Sequence, residues 1–233
     1  LEARSQEDFT ELAPGLYATP WQDTYDASRL LLTEKLAKLK VKGDLIAMAP
    51  NRDVLLVAGS EDAESLEKLA LGSVKILRGP RPLSGFALRL KEGKWEPYMP
   101  PPEHTAYYAF RLAQVLHLKD AYDQQGEQAQ LAYARKDEEI YVGSYTPTQH
   151  KETKEVSSYV VWTKGLATDL PEADRVAFVD TELPESKRVL GLAPWAKVRE
   201  VLGTRMKKLD TYPPRHRVTG FPNVEELEKL GLK

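Results

Sequence analysis

The residues best suited to chemistry lie in one short stretch between two apolar runs, Pro50-Asn51-Arg52-Asp53. The planar guanidinium of Arg52 could grip a carboxylate or a phosphate, or it could pair with Asp53. An aspartate at the mouth of a buried strand could also act as a general base if its pKa were raised. The plainer interpretation is a hairpin turn, in which Pro50 fixes φ and the side chains of Asn51 and Asp53 bond the local backbone.

Two strands must position that turn. Residues 45–48 form one apolar run, and residues 54–58 form a second, nearly continuous run that is typical of a strand buried on both faces. The connection has an ordinary hairpin length. Leucines three or four residues apart predict a helix over 28–42, and a second helix begins after the hairpin, capped by Ser60 or Asp62.

The remaining elements follow from turn residues and apolar spacing. A hairpin over 86–98 turns at Gly93, and the proline run at 100–102 forms a stiff connector. Residues 103–123 carry the apolar pattern of a buried helix, and the strand spacing after it predicts an antiparallel meander. The candidate strands span 129–135, 139–145, 156–163 and 175–180, and the candidate helices span 195–202, opened by Pro194, and 224–230, capped by Asn223 with Glu226 three residues on.

These elements predict an α+β fold with two antiparallel-rich mixed sheets, flanking helices and a C-terminal helical tail. The proline run suggests two parts. Residues 1–99 would form a helix-hairpin-helix subdomain, and residues 103–233 would hold a helix, the meander and a basic tail. One compact domain containing both parts stays open as the alternative.

Composition excludes several classes of protein. The 233 residues are 42% hydrophobic and 29% charged, as in an ordinary soluble globular protein, and no apolar run is long enough to span a bilayer. The absence of cysteine excludes disulfides, thiolate nucleophiles and Cys-ligated metals. No nucleotide-binding or hydrolase motif is present, so no cofactor is expected. Four dispersed histidines without metal-binding spacing predict surface or capping roles and no metal site: His104, His117, His150 and His216.

Positive charge is concentrated near the C-terminus. Residues 187–220 hold nine basic side chains against two acidic ones, a local charge of +7 in a chain of net charge −2. This segment is either a solvated surface or an anion-binding surface for nucleic acid, anionic lipid or an acidic protein. The candidate anion-binding residues are Arg205, Lys207, Lys208, Arg215 and Arg217.

Two stretches carry a family resemblance. LIAMAPNRDVLLVAGSED (45–62) resembles the YtpQ-like family of bacterial proteins of unknown function, whose members have a similar Pro-Asn-Arg-Asp turn followed by a Leu-rich strand. SYVVWTKGLATDLPEADRVAFVD (158–180) is similar to the same family. The resemblance implies a soluble α+β bacterial protein and no particular activity. It marks as family-like, but not as catalytic, Asn51, Arg52, Asp53, Trp162, Thr163 and Lys164.

Three functions remain open at this point. The first is a non-enzymatic binding or interaction protein, with a protein or an anionic ligand as its partner. The second is a hydrolase-like enzyme that uses Asp53 and Arg52, which would have to meet a histidine or glutamate in one pocket. The third is an anion or nucleic-acid binder that uses residues 187–217. A cytoplasmic location is expected, or an extracytoplasmic one if a signal once preceded Leu1.

Overall fold

The computed structural model describes residues 1–232 and has the predicted α+β fold. These residues form five α-helices and three β-sheets, and the C-terminal helix is present. The chain divides into two compact units, residues 1–117 and the part from Leu118 onward, so the division lies inside a long helix. The third sheet arises because the strands of the second unit separate into two sheets.

The first unit is built on one six-stranded sheet. In order across the sheet its strands span residues 10–13, 16–18, 54–59, 45–51, 87–91 and 94–98, and each neighbouring pair is antiparallel. The predicted hairpins at 45–58 and 86–98 are confirmed. The elements are β1 (Thr10–Ala13), β2 (Leu16–Ala18), α1 (Thr33–Leu36), β3 (Leu45–Asn51), β4 (Val54–Gly59), α2 (Ala63–Leu77), β5 (Ala87–Lys91), β6 (Lys94–Tyr98) and α3 (Tyr107–Lys136).

Side chains alternate along the two central strands, β3 and β4, so each face of the sheet packs into its own apolar cluster. Ile46 and Met48 of β3 face helix α2, which buries Leu66, Leu69 and Val74 against them. The next residues along the strands form the core of the opposite face, which contains Phe9, Tyr17, Leu36, Ala47 and Leu55. Helix α2 begins as predicted, since the Asp62 carboxylate accepts a hydrogen bond from the Ser65 amide at 3.1 Å.

The predicted helix over 28–42 is wrong. This segment contains a 3₁₀ helix, Ala27–Leu31, and then the single turn of α1. Leu32 separates them with φ −87° and ψ 57°, which are not helical values. This break allows both Arg29 and Leu36 to be fully buried, whereas leucine spacing alone suggested one continuous helix.

Helix α3 is longer than the prediction for residues 103–123, and the strand predicted at 129–135 is wrong. Residues 107–123 and 129–135 belong to the single helix from Tyr107 to Lys136, and residues 103–106 precede it. Residues 129–135 contain alanine, leucine and arginine, which are strong helix formers, so propensity and continuation of the preceding helix outweigh the apparent alternation.

The second unit contains two four-stranded sheets. The strands of one lie in the order 206–208, 215–218, 168–171 and 141–142, and those of the other in the order 189–194, 175–179, 156–163 and 146–149. The predicted helices over 195–202 and 224–230 are confirmed. The elements are β7 (Tyr141–Val142), β8 (Thr146–Gln149), β9 (Val156–Thr163), β10 (Thr168–Pro171), β11 (Arg175–Val179), β12 (Val189–Pro194), α4 (Trp195–Leu202), β13 (Met206–Lys208), β14 (Arg215–Val218) and α5 (Val224–Lys229).

The predicted antiparallel meander is wrong, because β9 and β11 pair in parallel and so do β7 and β10. Strand β10 lies between β9 and β11 in sequence but joins the other sheet, so β11 returns beside β9 in the same direction. The apolar core of this unit includes side chains of both sheets, with Val160, Trp162 and Phe178 from one and Leu170 and Val218 from the other.

Two edge strands of this unit differ in how they meet solvent. Strand β13 exposes Lys207 and Lys208, a common way of discouraging edge-to-edge pairing. Strand β12 instead exposes apolar side chains, with Val189 62% and Leu192 47% accessible. Its pairing with β11 shifts register next to Gly191, which has φ +141° and packs against Leu232.

Candidate functional site

A cavity in the first unit has a volume of about 790 Å³, within the range of small-molecule sites. It lies between the N-terminal segment, residues 2–11, and the segment that contains α1, residues 31–40. Phe9, Tyr17 and Leu39 give it an apolar base. Charged side chains of both signs line the cavity. They are three lysines and four carboxylates: Lys35, Lys38, Lys40, Glu2, Asp8, Glu11 and Glu34.

A buried guanidinium holds the N-terminal segment in place beside this cavity. Arg29 makes two bonds to Asp23, from Nη1 to Oδ1 at 2.8 Å and from Nη2 to Oδ2 at 2.9 Å. Its Nε donates to Ser5 Oγ at 2.8 Å, and its Nη2 donates to the Arg4 carbonyl at 3.0 Å. The guanidinium carbon lies 4.0 Å from the ring centroid of Trp21, a cation–π contact. Hydrogen bonds from Arg29 hold the pKa of Asp23 well below its usual value.

Lys35 ties the two walls of the cavity together. Its Nζ donates to the carbonyl oxygens of Ser5 and Glu7, and it lies 5.2 Å from the Trp21 ring centroid. Three elements therefore meet at this ammonium: α1, the N-terminal segment and the loop carrying Trp21. These contacts join the segment containing α1 to the N-terminal segment across the cavity.

Tyr17 supplies a neutral hydrogen-bonding group at the base of the cavity. Its hydroxyl donates to the Lys40 carbonyl at 3.3 Å. Burial raises the pKa of Tyr17, and the neighbouring Glu11 carboxylate raises it further. The phenol therefore stays protonated at neutral pH, where it acts as a hydrogen-bond donor and not as a base.

The Pro50–Asp53 stretch forms the predicted turn. The Asp53 amide donates to Asn51 Oδ1 at 3.0 Å, which confirms local backbone bonding by the asparagine. Arg52 Nε lies 3.7 Å from Asp53 Oδ1, and both side chains are about half exposed. Asp53 Oδ1 is itself shielded from solvent and has no hydrogen-bond partner among the described residues. Neither Arg52 nor Asp53 lines the cavity beside Tyr17.

The backbone of this turn also holds two neighbouring loops. The Arg52 carbonyl accepts from the Ala27 amide at 3.1 Å, and the Pro50 carbonyl accepts from the Leu83 amide at 2.8 Å. Asn51 forms an isolated antiparallel bridge with Pro82. The turn therefore organises its surroundings through main-chain groups and leaves the Arg52 side chain facing solvent.

The second family-like stretch belongs to the other unit. Trp162 is fully buried, as its apolar strand predicted; its ring stacks on Phe178 and its Nε1 donates to the Gly220 carbonyl at 3.1 Å. Lys164 lies at the surface and pairs with Asp180, with Nζ 2.9 Å from Oδ2. Thr163, between them, ends strand β9. The family-like residues thus divide between the two units.

The basic segment makes several internal contacts. Arg205 donates from Nη2 to Glu226 at 2.9 Å and from Nη1 to the Phe221 carbonyl at 2.9 Å. Arg215 is fully buried, so its guanidinium is not part of an open cationic surface. Of the five anion-binding candidates, Lys207 and Lys208 are exposed, on edge strand β13.

Arg215 joins one sheet to helix α3. Its Nη1 donates to the Gly143 and Asp169 carbonyls at 2.7 and 3.0 Å, and its Nη2 donates to the Tyr122 carbonyl at 3.0 Å. Its Nε donates to the Gln125 side chain. Burial lowers the pKa of Arg215, although a guanidinium stays charged at any ordinary pH.

Asp169 is the carboxylate of this polar interface and the residue that sequence reasoning missed. Arg217 donates to it from Nε at 2.8 Å and from Nη2 at 3.0 Å, and the Tyr133 hydroxyl donates to it at 2.6 Å. Its partners are 36 and 48 residues away, so nothing in the local sequence of β10 marks it. The sequence Arg215-His216-Arg217 places a polar side chain on each face of β14, and this is the signal that could have suggested buried polar contacts for the strand.

His216 corrects the expectation of surface or capping histidines. It is 1% exposed, and its Nδ1 has no hydrogen-bond partner in the described part of the chain. Glu172 Oε1 lies 3.5 Å from Nδ1, and the Trp195 ring meets the imidazole edge-on. Burial, with help from the positive charges of Arg199 and Lys208, lowers the pKa of His216 to about 4, so the side chain is neutral at pH 7.

Within residues 1–232, no group of three or more His, Asp or Glu side chains is placed to hold a metal ion, and no helix has the length and apolar character needed to cross a membrane. No protein-family model matches the chain. No curated protein and no solved structure matches it. The resemblance to the YtpQ-like family therefore stays a prediction.

Proposed function

We propose that the protein is a non-catalytic binding protein, and that its first unit takes a small zwitterionic ligand in the cavity beside Tyr17. The observation that carries this proposal is the lining itself, in which lysines and carboxylates surround an apolar base. A ligand bearing both charges can satisfy both sets, whereas a purely anionic or cationic ligand would leave one set facing a like charge. The proposal keeps the kinship with bacterial YtpQ-like proteins, which implies no activity.

A binding role fits the chemistry of this lining better than a catalytic one. Tyr17 is held protonated, and the Lys35 ammonium is occupied by two carbonyl oxygens. Neither group is therefore free to serve as a nucleophile or a base. The fixed network around Arg29 supports a preformed pocket, which favours affinity.

Ligand-induced stabilisation would test the proposal. Thermal unfolding is measured with free amino acids and short zwitterionic peptides, and in parallel with dicarboxylates and polyamines. A ligand that binds the folded state at one hundred times its Kd adds roughly 2.7 kcal/mol of stability. We expect the zwitterionic set to raise Tm, and the dicarboxylates and polyamines, which carry charge of one sign only, to leave it unchanged.

Charge-reversal variants of the lining test whether the ligand binds in this cavity. Lys38→Glu and Glu34→Lys change exposed residues of the cavity lining and should weaken binding at least about tenfold. Lys91→Glu, on the exposed end of β5, is the matched control and should bind like the wild type. The proposal fails if no zwitterion stabilises the protein, or if both cavity variants bind as the control does.

A further inference from the structure

A glutamate and a tyrosine stand opposite each other in the lining of the cavity beside Tyr17. Glu11 of β1 is the antiparallel partner of Tyr17 on β2, and such partners have their side chains on the same face of a sheet. The Glu11 carboxylate is held in position, because its Oε1 accepts a hydrogen bond from the Gly15 amide at 3.0 Å. A carboxylate can accept several hydrogen bonds, so Glu11 can still accept one from a ligand.

The Tyr17 hydroxyl brings two further acceptors to the same place. Its hydrogen is donated to the Lys40 carbonyl at 3.3 Å, so its oxygen can accept a bond from a ligand. The Lys40 carbonyl oxygen has two lone pairs and can accept a second bond. Glu11, Tyr17 and Lys40 therefore offer three acceptor groups, and a primary ammonium has three N–H donors.

The negative charge of Glu11 is not balanced by a neighbouring cation. Within residues 1–232, no lysine or arginine is paired with its carboxylate. Burial raises the pKa of Tyr17 and the Glu11 carboxylate raises it further, whereas no lysine ammonium lowers it. The cavity lysines therefore lie away from this end of the site. An unbalanced carboxylate beside an apolar base attracts a cation more strongly than a carboxylate in open water does.

Apolar surface adjoins these acceptors. Phe9 and Tyr17 belong to one apolar cluster, and Leu39 packs against it while remaining only partly buried. Leu32 is also half-buried and lines the same cavity. These side chains offer an apolar group of the ligand a surface to pack on, next to the acceptors that would hold its ammonium.

We propose that the cavity recognises the free α-ammonium of an apolar amino acid, or of a short peptide that begins with one, and that Glu11 determines this specificity. The proposal rests on the proposed function, because it assigns one end of the zwitterion to one end of the cavity. The Tyr17 oxygen and the Lys40 carbonyl complete the ammonium site, and Phe9, Leu32 and Leu39 receive the first side chain. An acylated amine has no positive charge and fewer donors, so it would leave these acceptors unpaired.

Isothermal titration calorimetry with three ligands tests the proposal on the full chain. The probe is L-phenylalanine. N-acetyl-L-phenylalanine keeps the apolar ring and the carboxylate but lacks the ammonium, and L-serine keeps both charges but lacks the ring. We expect L-phenylalanine to bind at least about tenfold more tightly than either comparison ligand.

Glu11→Gln removes the charge but keeps an oxygen that can accept from the Gly15 amide. The preference for L-phenylalanine over its N-acetyl form should fall about tenfold in this variant. Glu67→Gln makes the same chemical change on the exposed side of α2, outside the cavity lining, and should keep the wild-type preference. The ratio of two affinities within one variant cancels any general loss of folded protein.

A second pair of variants tests the hydroxyl. Tyr17→Phe keeps the ring and removes one acceptor, so the same preference should fall about threefold to tenfold. Tyr108→Phe, on the exposed side of α3, is the matched control and should change nothing. Circular dichroism checks that each variant is folded at the temperature of the titration.

Failure of this inference can be told from failure of the proposed function. If no zwitterion binds, both are wrong. If zwitterions bind but L-serine or N-acetyl-L-phenylalanine binds as tightly as L-phenylalanine, the cavity is a binding site and the proposed specificity is wrong. If Glu11→Gln keeps the preference for the free amine as Glu67→Gln does, the ammonium does not lie at Glu11.

Discussion

Helix α2 and the second half of helix α3 each cover a face of a β-sheet, but with opposite chemistry. Helix α2 buries leucine and valine side chains against Ile46 and Met48. From residue 118 onward, α3 meets its sheet through Tyr122, Gln125 and Tyr133, which bond Arg215, Asp169 and Arg217.

Removing a side chain should change the free energy of unfolding differently at the two interfaces. An apolar interface loses energy in proportion to the atoms removed, because each contact is weak and non-directional. A buried ionic interface depends on complete pairing, because one missing partner leaves a charge or a carbonyl that water cannot reach. A helix can therefore pack on a sheet through a polar face, as α3 does, as well as through an apolar one, as α2 does.

The largest effect is expected for Asp169→Asn. This change removes the carboxylate that pairs with Arg217 and that attracts the buried Arg215 guanidinium without bonding it, so the free energy of unfolding should fall by about 3–4 kcal/mol. Urea unfolding followed by circular dichroism measures the loss. Asp44→Asn removes a carboxylate paired with Arg89 at the surface, 3.8 Å away, and should cost less than about 0.5 kcal/mol. Equal losses in both variants would show that the polar interface is not dependent on its charge balance.

The matching change in the apolar interface is Leu69→Ala on α2. Leu69 is fully buried, so its truncation should cost about 3 kcal/mol through lost transfer energy and a residual cavity. The loss should be the same at low and high salt, since no charge is involved, and urea titrations at two salt concentrations measure this. Leu71→Ala, on the exposed side of the same helix, is the control. A salt-dependent loss for Leu69→Ala would contradict the contrast between the interfaces.

Acid should affect the second unit before the first. His216 has a pKa of about 4 in the folded chain and 6.5 as its ordinary value, so the unfolded state binds more protons between these pH values. Stability therefore falls as pH drops through this window, by about 2–3 kcal/mol between pH 6.5 and 4.5. The Asp23 carboxylate has a lowered pKa, so its contribution to the first unit is present above its ordinary pKa and is lost only in more acidic solution.

Chemical denaturation at a series of pH values measures this effect. In His216→Gln the dependence on pH between 6.5 and 4.5 should largely disappear, although the variant can be less stable overall. An unchanged slope in that variant would assign the acid sensitivity to other groups.

The smallest effect is expected at the start of α2. Asp62→Ala removes the side chain that accepts from the Ser65 amide, and it should cost about 1 kcal/mol. Urea unfolding beside Leu69→Ala would show that the polar contribution of α2 is confined to its end. A loss as large as that of Leu69→Ala would mean that α2 depends on its cap as much as on its apolar face.

The sequence correctly predicted the helices and strands whose turn and cap contacts join residues close to one another in the chain. Hairpin β3–β4 has two apolar runs around a proline-asparagine turn, and α2 and α5 carry their own caps. Each can be recognised because the residues responsible lie within a few positions of one another.

Features that depend on distant partners could not be found in this way. The break at Leu32 follows a buried Arg29 whose partners Asp23 and Ser5 are 6 and 24 residues away, and the parallel pairing of β9 with β11 accompanies the departure of β10 to another sheet. The cavity beside Tyr17 has walls from two separated segments. Periodicity carries no information about such contacts, since it reports which face is apolar and not what covers it.

Strand β12 is a sheet edge that exposes apolar side chains but has an irregular backbone. Its exposed Val189 and Leu192 would invite another chain to add a strand, yet Gly191 bends the backbone at φ +141° and Pro194 removes one amide donor. Its protection is thus conformational. A substitution that straightens this strand would promote fibrillar association although the net charge of the molecule stays the same.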